Sequence, residues 1–424
     1  MSYKKETQCV QAGYTPENGE PRVLPIYQST TYKYDSSEHL GKLFDLEAPG
    51  HMYSRISNPT VSCVEEKINI LEGGVGALCT TSGQAANLLA ILNITSSGEN
   101  FVSLSSIYGG TINLFAVTLK KLGIEVRFIT PDMTDEQVEA LFDDKTRLVF
   151  GETIANPALD VLDIEKYAKL AHAHNIPLMV DNTFATPVLC RPFEFGADIV
   201  VHSTTKYMDG QATVVGGVIV DSGKFDWTVD GKFPGLTTPD ESYHGVVYTR
   251  DFGNAAFITK ARVQLMRDFG VLPPAMSAFL LNSGLTTLHL RMERHSENAL
   301  KVAKYLENND KIAWVNYPGL ESSKDYALAK KYLPDGCSGV ISFGVKGGRD
   351  AAVKFMDSLK LAAIVVHVAD ARTCVLHPAS TTHRQLTDEQ LVAAGIGADL
   401  VRMSIGIENV DDIIADIEQA LANA

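Results

Sequence analysis

Between about residues 61 and 220, short apolar runs alternate with segments in which apolar positions recur at helical spacing. The runs that we predict as strands are Ala77–Thr80, Asn100–Leu104, Glu125–Ile129, Arg147–Glu152, Pro177–Val180, Asp198–His202 and Val214–Val220. The helices predicted among them are Val61–Leu71, Gln84–Leu92, Gly110–Leu122, Thr134–Phe142 (with Thr134 as N-cap) and Ile164–His174. This alternation predicts an α/β fold with a mostly parallel sheet covered on both faces, and ligands of such sheets bind at the carboxyl ends of the strands.

The rest of the chain divides by pattern into three parts. Residues 1–60 are broken by prolines, so we predict an N-terminal arm that contacts a neighbouring subunit or covers a cleft. Residues 221–260 lose the alternation and are predicted as an inserted loop region, which completes a large domain over 61–260. Residues 261–424 are predicted to form a linker helix and a smaller C-terminal α/β domain. The elements predicted there are the strands Gly339–Val345, Ala363–Val368 and Val401–Ile407, and the helices Leu285–Leu306, Arg349–Leu359 and Val410–Leu421.

The composition of the chain argues against some classes of binding partner. Of the 424 residues, 37 are basic and 51 acidic, which gives a net charge of −14 with the basic residues scattered. We therefore expect neither nucleic acid nor a membrane as a partner, and no apolar run approaches the length of a membrane span. The start of the chain has no signal-like apolar region and the six cysteines form no C-x-x-C pair, so we expect a soluble cytoplasmic protein.

The candidate chemistry begins where the predicted strand Asp198–His202 ends. Ser203, Thr204 and Thr205 follow it, and Lys206 comes next. A lysine buried at the end of a core strand is costly unless it is neutralised, paired or used covalently. The neighbouring hydroxyls are suited to holding an anion. We interpret the segment as a Schiff-base lysine beside a phosphate site.

Three further features are expected at the same edge of the sheet. Asp181 follows a strand and is either an N-cap, a surface charge, or a carboxylate that keeps a pyridine nitrogen protonated. Residues 81–84, Thr-Ser-Gly-Gln, open a helix, where free backbone N–H groups favour an anion, although many helices begin in this way. Tyr108 also follows a strand and is either a packed tyrosine or one that stacks on a flat ring.

A lysine, a carboxylate, a phosphate site and a stacking aromatic together suggest pyridoxal phosphate. The motifs Tyr-Ser-Arg-Ile-Ser-Asn-Pro-Thr (53–60), Thr-Thr-Lys-Tyr (204–207) and His-Pro-Ala-Ser-Thr-Thr-His (377–383) resemble the Cys/Met-metabolism family of pyridoxal-phosphate enzymes along essentially the whole chain. Resemblance to this family implies an aspartate-aminotransferase-like (type I) fold. It also implies a homo-oligomer, a tetramer built as a dimer of dimers.

The resemblance assigns roles to residues at the matching positions. It implies that Lys206 carries the cofactor and moves protons, that Asp181 pairs with the ring nitrogen, and that Tyr108 or Tyr53 assists proton transfer to the leaving group. The residues implied to bind the phosphate are Ser203, Thr205, Ser82, Gly83 and Gln84, joined by Tyr53 and Arg55 from the adjacent subunit. The residues implied near the ring are Asn156, Glu152 and Thr183. For Arg55, a plain surface charge is the alternative.

Substrate recognition is implied at the other side of the cofactor. Arg402 resembles the arginine that binds the substrate α-carboxylate, which a guanidinium holds in bidentate fashion, and Asn156 lies close to that carboxylate in the family. His367 departs from the serine or asparagine expected in related chains. It either contacts the substrate or is a packed histidine without substrate contact.

The motifs Tyr-Gly-Gly-Thr (108–111) and Thr-Thr-Pro-Asp-Glu-Ser-Tyr-His-Gly (237–245) favour the sulfhydrylase branch of the family. This branch implies a transferase of methionine biosynthesis that converts O-acetylhomoserine and sulfide, or a thiol, to homocysteine, or methionine, and acetate. A methionine or cystathionine γ-lyase and a cystathionine γ-synthase remain alternatives on the same scaffold, and a non-catalytic binding protein is a further one. We expect no metal site, because His172 and His174 point in different directions on a helix and His377 and His383 lack further ligands.

Overall fold

The computed structural model describes residues 3–381 and 397–424. Their strands form a seven-stranded sheet in the order β1-β7-β6-β5-β4-β2-β3 and a five-stranded sheet in the order β10-β11-β12-β9-β8. The strands are β1 Gly76–Thr80, β2 Asn100–Leu104, β3 Glu125–Ile129, β4 Thr146–Glu152, β5 Leu178–Asp181, β6 Ile199–His202, β7 Gly217–Asp221, β8 Ile312–Asn316, β9 Val340–Val345, β10 Ala363–Ile364, β11 Cys374–Leu376 and β12 Leu400–Ser404. The predicted α/β class, with a large mostly parallel sheet and a smaller second one, is confirmed.

Helices flank both sheets. The α-helices of the first half are Lys5–Gln11, Ser37–Phe44, Pro59–Glu72, Gly83–Leu92, Gly109–Asn113, Asp135–Glu139, Ile164–Ala173 and Thr186–Leu189. Those of the second half are Pro234–Thr237, Tyr248–Asp251, Ala256–Lys260, Arg267–Phe269, Ala275–Thr286, Leu288–Glu307, Tyr326–Tyr332, Gly348–Ser358 and Val410–Asn423. Two of them continue as π-helical turns, at Leu114–Leu119 and Ala261–Met266, and short 3-10 turns occupy Pro192–Phe195, Val229–Gly231, Glu241–Tyr243, Gly253–Ala255 and Pro378–Ser380. Within the described ranges, none of these helices is both long and apolar enough to cross a membrane.

The strands at the centre of the large sheet are buried on both faces. β2 to β6 run parallel to one another, whereas β7 runs antiparallel to its two neighbours, β6 and β1. In β5 and β6 every apolar side chain is at most 1% exposed, which explains why these segments are continuously apolar and do not alternate with polar residues. The carboxyl ends of β4, β5 and β6 therefore meet at one edge of the sheet.

Helix ends follow the signals in the sequence. Thr134 caps the helix Asp135–Glu139 in a reciprocal capping box with Gln137, which confirms the predicted N-cap. Ser82 caps the helix Gly83–Leu92 by accepting a hydrogen bond from the backbone N–H of Ala85 at 3.1 Å. This cap places the start of that helix directly after β1.

One long helix joins the two sheets. Leu288–Glu307 has 20 residues, a length of about 30 Å. Arg291 on this helix donates to the carbonyl of Tyr207, which follows β6, at 2.6 Å. One turn later, Nδ1 of His295 lies 2.7 Å from the carbonyl oxygen of Ile405, which follows β12. Buried polar contacts therefore fix the smaller sheet against the edge of the larger one.

Three details of the sequence interpretation were wrong. The region 221–260 was predicted as a loop outside the core, yet Trp227, Phe233 and Phe257 are at most 3% exposed and pack ring against ring. The predicted strand Ala363–Val368 is a strand over two residues only, Ala363 and Ile364, and the segment after it lines the pocket through Val366 and Val368. The short strands β8 and β11 were missed, since neither has a distinct apolar period.

Acid should destabilise the protein through His295. Burial lowers the pKa of this imidazole from 6.5 to about 4. The folded pKa lies below that of the unfolded chain, so the stabilisation is present above about pH 6.5 and is lost as the pH falls towards about 4, by about 3 kcal/mol in all. We expect the urea midpoint of His295→Asn to fall less between about pH 7.5 and about pH 4.5 than that of the wild type.

The exposed histidine His39 provides the matched control, because His39→Asn makes the same chemical change without burial. Its acid dependence should equal that of the wild type. A His295→Asn variant with the full wild-type acid dependence would contradict the assignment.

Candidate active site

A pocket of about 220 Å³ lies at the carboxyl ends of β4, β5 and β6, where strands of this kind bind ligands. It also receives residues of the second sheet, from β12 and from the segment after β10. The predicted site residues that line it are Ser82, Gly83, Gln84, Tyr108, Glu152, Asn156, Asp181, Thr183, Ser203, Thr205, Lys206 and Arg402. The structure thus brings together predicted residues from six separate parts of the sequence.

Lys206 projects into this pocket from the turn after β6. Burial, followed by the charge of Arg402, lowers the pKa of its amine from 10.5 to about 8. An amine with this pKa is partly neutral near neutral pH. Lys206 can therefore act as a nucleophile and as a base without prior removal of its charge by a partner.

A chain of hydrogen bonds holds the carboxylate of Asp181. Asp181 Oδ1 accepts from the backbone N–H of Thr183 at 3.0 Å and from its hydroxyl at 2.5 Å. The same hydroxyl oxygen accepts from the backbone N–H of Ser203 at 2.8 Å. Burial raises the pKa of Asp181, while the bonds from Thr183 and the nearby His202 act in the opposite direction. The hydrogen bonds from Thr183 thus hold the carboxyl group of Asp181 at the pocket.

Glu152 lies beside Asp181, and its pKa is the more strongly raised of the two. Burial and the neighbouring charge of Asp181 raise the pKa of Glu152 well above its usual range. Its carboxyl oxygens accept hydrogen bonds from the backbone N–H groups of Tyr108 at 2.8 Å and Asn156 at 3.2 Å. Glu152 therefore fixes two loops of the pocket wall.

Arg402 and Asn156 form another part of the pocket wall. Arg402 Nη1 donates to Asn156 Oδ1 at 2.9 Å, and the arginine is 8% exposed. Its Nε is buried and has no partner among the described residues. A buried guanidinium with a free N–H is suited to a carboxylate ligand.

The helix Gly83–Leu92 begins at the pocket and offers its first backbone N–H groups to an anion. A Cβ atom on Gly83 would lie 2.7 Å from Cβ and 2.9 Å from Cα of Ser203, so a glycine is required for these two segments to meet. Gln84 Oε1 is buried and has no partner in the described part of the chain. The Thr205 hydroxyl is already bonded to the backbone of Gly216, so Thr205 contributes mainly by its position.

These features fit pyridoxal phosphate. The helix start and Ser203 suit a phosphate, Asp181 suits a protonated ring nitrogen, and Lys206 suits an aldehyde carbon. The orphaned polar atoms of Gln84 and Arg402 point to a polar ligand.

Three predicted site residues do not line this pocket. Tyr53 is 41% exposed, and the guanidinium of Arg55 lies 5.3 Å from the centre of its ring and donates to the carbonyl of Arg267. A role for both in the site of a neighbouring subunit stays a prediction. His367 is absent from the pocket wall but contacts Lys206, at 3.3 Å between Nδ1 and Nζ. His383, the last residue of the third motif, lies outside the described residues.

Sequence reasoning missed several residues of the pocket and its support. The additional lining residues are Asn87, Thr111, Ile154, Phe184, Val215, Val366 and Val368. Asn87 had a signal, since it is a polar residue in an otherwise apolar helix, one turn after Gln84. Behind Asp181, His202 Nε2 lies 2.5 Å from Glu72 Oε1, which also accepts from Asn182 at 3.1 Å. No local pattern indicates this buried network, whose members are distant in sequence.

Substitution of Gly83 should weaken cofactor binding. In Gly83→Ala the new Cβ meets Ser203 Cα and Cβ, which cannot rotate away, and overpacking of this kind costs about 1–3 kcal/mol. We expect the Kd for pyridoxal phosphate to rise by about 5- to 100-fold, measured by absorbance titration of the cofactor-free protein. Gly41→Ala is the control, because a Cβ there meets nothing within 4 Å. Equal Kd values for the two variants would contradict the proposed phosphate site.

Comparison with known proteins agrees with this geometry. A homocysteine synthase of Schizosaccharomyces pombe is 48% identical over 98% of this chain and 97% of its own length. An O-acetyl-L-homoserine sulfhydrylase of Leptospira meyeri is 46% identical over 100% of this chain and 97% of its own.

Solved structures match as well. An O-acetylhomoserine (thiol)-lyase structure from Campylobacter jejuni, with pyridoxyl-lysine monophosphate, superposes with a TM-score of 0.94 at 37% identity and covers 99% of this chain and 100% of its own. The metB structure from Corynebacterium glutamicum gives a TM-score of 0.84 at 34% identity, covering 100% and 98%.

The family model described as Cys/Met metabolism PLP-dependent enzyme matches residues 6–422. Pyridoxal phosphate is accordingly the cofactor, and the predicted type of fold is confirmed. The chain belongs to the Cys/Met metabolism family of PLP-dependent enzymes.

Proposed function

We propose that this protein is a transferase that replaces the γ-acetoxy group of O-acetyl-L-homoserine with sulfide, or a thiol, to give L-homocysteine, or methionine, and acetate. The observation that carries the proposal is the meeting of Lys206, Asp181 and Arg402 in one pocket. The names of the full-length relatives support the same reaction, namely homocysteine synthase and O-acetyl-L-homoserine sulfhydrylase. The place of the enzyme is homocysteine and methionine biosynthesis.

Pyridoxal phosphate, when bound, supplies an aldehyde that accepts an amine and a ring that withdraws electrons. Asp181 then holds a proton at the ring nitrogen, which requires the aspartate to be ionised. Thr183 favours that state through two hydrogen bonds, and the protonated form of Glu152 avoids a second negative charge beside it. Ser203 and the start of the helix Gly83–Leu92 bind the phosphate.

Substrate orientation falls to Arg402 and Asn156. Their mutual hydrogen bond of 2.9 Å fixes the guanidinium, and its remaining N–H groups bind the α-carboxylate of O-acetylhomoserine. The substrate amine thereby approaches the position of Lys206. Burial of Arg402 strengthens this ion pair because little water competes for it.

Lys206 would move the protons of the reaction. With its amine free, it would take the proton from Cα, give that proton up again, and then take one from Cβ, so that acetate would leave Cγ with the bonding electron pair. Sulfide or a thiol would add at Cγ, and the protons would then be returned to Cβ and Cα. The lowered pKa of about 8 keeps part of the amine in the basic form near neutral pH. Tyr108, whose side chain is 50% exposed at the pocket, assists proton transfer at the leaving group.

The site also extends to a second subunit in this proposal. Tyr53 and Arg55 from the arm of residues 1–60 reach the phosphate of the neighbour, so a dimer is the smallest active unit and a tetramer is a pair of such dimers. Residues 61–260 form the cofactor-binding domain, and residues 261–424 form the linker helix and smaller domain that supplies Arg402. We place the enzyme in the cytoplasm, which the six free cysteines support.

A product assay tests the proposed reaction directly. The wild type, loaded with cofactor, should release homocysteine and acetate from O-acetylhomoserine and sulfide, and thiols and O-succinylhomoserine complete the panel. Lys206→Ala should lose turnover and the visible absorption band together, because the lysine is both cofactor anchor and base. Lys121→Ala, at an exposed lysine, should behave as the wild type.

Other products would overturn the assignment. Release of 2-oxobutanoate and ammonia from methionine or cystathionine, in preference to homocysteine formation, would indicate a γ-lyase. Cystathionine formed from cysteine would indicate a γ-synthase. Wild-type turnover by Lys206→Ala would remove the central residue from the mechanism.

Complementation between subunits tests the role of the arm. Lys206→Ala and Arg55→Ala homo-oligomers should each have little activity. A random mixture of the two chains should regain about a quarter of the wild-type activity, since half of the dimers are mixed and one of their two sites is intact. Co-expressed chains with two different tags provide the mixed dimers for the assay. An inactive purified mixed dimer would contradict action of Arg55 in the neighbouring site.

A further inference from the structure

His367 makes a direct contact with the lysine that carries the chemistry. Its Nδ1 lies 3.3 Å from Lys206 Nζ, although 161 residues separate the two in sequence. The histidine sits between Val366 and Val368, both of which line the pocket. His367 thus reaches the site from the smaller sheet. Its contact with the amine of Lys206 distinguishes it from a histidine that only packs in the core.

The backbone around His367 is fixed to the strand that carries Arg402. The backbone N–H of Ala369 donates to the hydroxyl of Ser404 on β12 at 2.7 Å. Ala369 itself has a φ of +68°, a conformation that alanine adopts only at a cost. The carbonyl of His367 accepts from the thiol of Cys374 at 3.4 Å. These contacts fix the backbone of this segment, and the imidazole of His367 makes its contact with Lys206.

The chemistry of the two groups sets the direction of the hydrogen bond. A protonated lysine has N–H donors and no acceptor, so Nδ1 of His367 must be the acceptor and the ring proton must lie on Nε2. Nε2 is shielded from solvent and has no partner among the described residues. A neutral amine can use the same bond, because it still has two N–H groups to donate.

The charged groups around His367 keep it neutral. Burial lowers its pKa below 6.5, and the charges of Lys206 and Arg402 lower it further, whereas Asp370 and Asp209 act in the opposite direction. Near neutral pH the imidazole is therefore an acceptor. Acidification protonates Nδ1, which removes the acceptor and places a second positive charge beside the lysine.

We propose that His367 is a positioning residue for Lys206: Nδ1 accepts a hydrogen bond from Nζ and so fixes the direction of the amine lone pair while the lysine removes protons from the substrate. The predicted effect of His367 on turnover rests on the proposed function. Its predicted effect on the pKa of Lys206 rests only on the contact between Nζ and Nδ1. Protonation of His367 abolishes this bond. The enzyme therefore loses activity on the acid side as His367 titrates.

Two substitutions distinguish the effect of the hydrogen bond from the effect of filling the same space with a side chain. His367→Asn retains an acceptor, since Oδ1 can take the place of Nδ1, but it cannot titrate. His367→Leu has a similar reach and no acceptor. His39→Asn, at an exposed histidine, is the control for the chemical change. Thermal unfolding of all variants checks that the fold is retained.

We expect kcat of His367→Leu to fall by about 10- to 100-fold with a smaller change in KM, because a misdirected base slows the proton steps more than binding. His367→Asn should recover most of kcat and should lack the acid inflection that belongs to His367 in the wild-type pH profile. An unchanged kcat in His367→Leu would overturn the proposal. So would a His367→Asn variant as slow as His367→Leu with the acid inflection retained.

A second readout does not depend on turnover. Competitive acylation of Lys206 with acetic anhydride in the cofactor-free full-length protein, followed by peptide mass spectrometry, gives the pKa of this amine. Loss of the acceptor removes a partner of the ammonium form, so the pKa of Lys206 should be lower in His367→Leu than in His367→Asn and the wild type. The same pKa in all three proteins would overturn the contact. If the wild type made no homocysteine but these pKa values differed as expected, the proposed reaction would fail and the positioning role of His367 would stand.

Discussion

The proposed site is organised around the buried carboxyl group of Asp181 and the hydrogen bonds that hold it. A carboxylate buried at the edge of a parallel sheet tends to become protonated, and a protonated aspartate could not keep a proton on the ring nitrogen of the cofactor. The protein opposes this tendency with the two hydrogen bonds from Thr183 and with His202 on the adjacent strand. Glu152 lies next to it, and burial together with the charge of Asp181 raises the pKa of Glu152 well above its usual range. In the proposed mechanism Asp181 is the ionised acid of this pair.

The same hydrogen bonds link Asp181 to the segments that we propose bind the phosphate. The hydroxyl of Thr183 receives the backbone N–H of Ser203, and Ser203 in turn packs against Gly83 at the start of the helix Gly83–Leu92. Lys206 follows three residues later. Because β5 and β6 are parallel neighbours, their carboxyl ends deliver all of these groups to one place. The smaller sheet then closes the site with Arg402 and His367, held against the larger sheet by the long helix Leu288–Glu307.

Much of this arrangement was predictable from the sequence, for physical reasons. β2 and β3 were predicted with their observed bounds: β2 is a largely apolar, buried strand, and in β3, at the edge of the sheet, charged and apolar residues alternate. Lys206 and Asp181 were found because each follows such a strand. Other features depend on contacts between distant segments. The antiparallel direction of β7, the pairing of Glu72 with His202 and the approach of His367 to Lys206 have no local pattern in the sequence. Arg402 was recognised through the family resemblance, since an arginine in a strand is unremarkable by itself.

In the proposed mechanism one amine, that of Lys206, forms the covalent link to the cofactor in a pocket at the edge of the large sheet. Reduction of the cofactor-loaded protein with borohydride fixes this link permanently, and peptide mass spectrometry then identifies the modified lysine. We expect a single pyridoxyl group per chain, on Lys206. A pyridoxyl group on another lysine, or a cofactor that reduction leaves removable by dialysis, would contradict it.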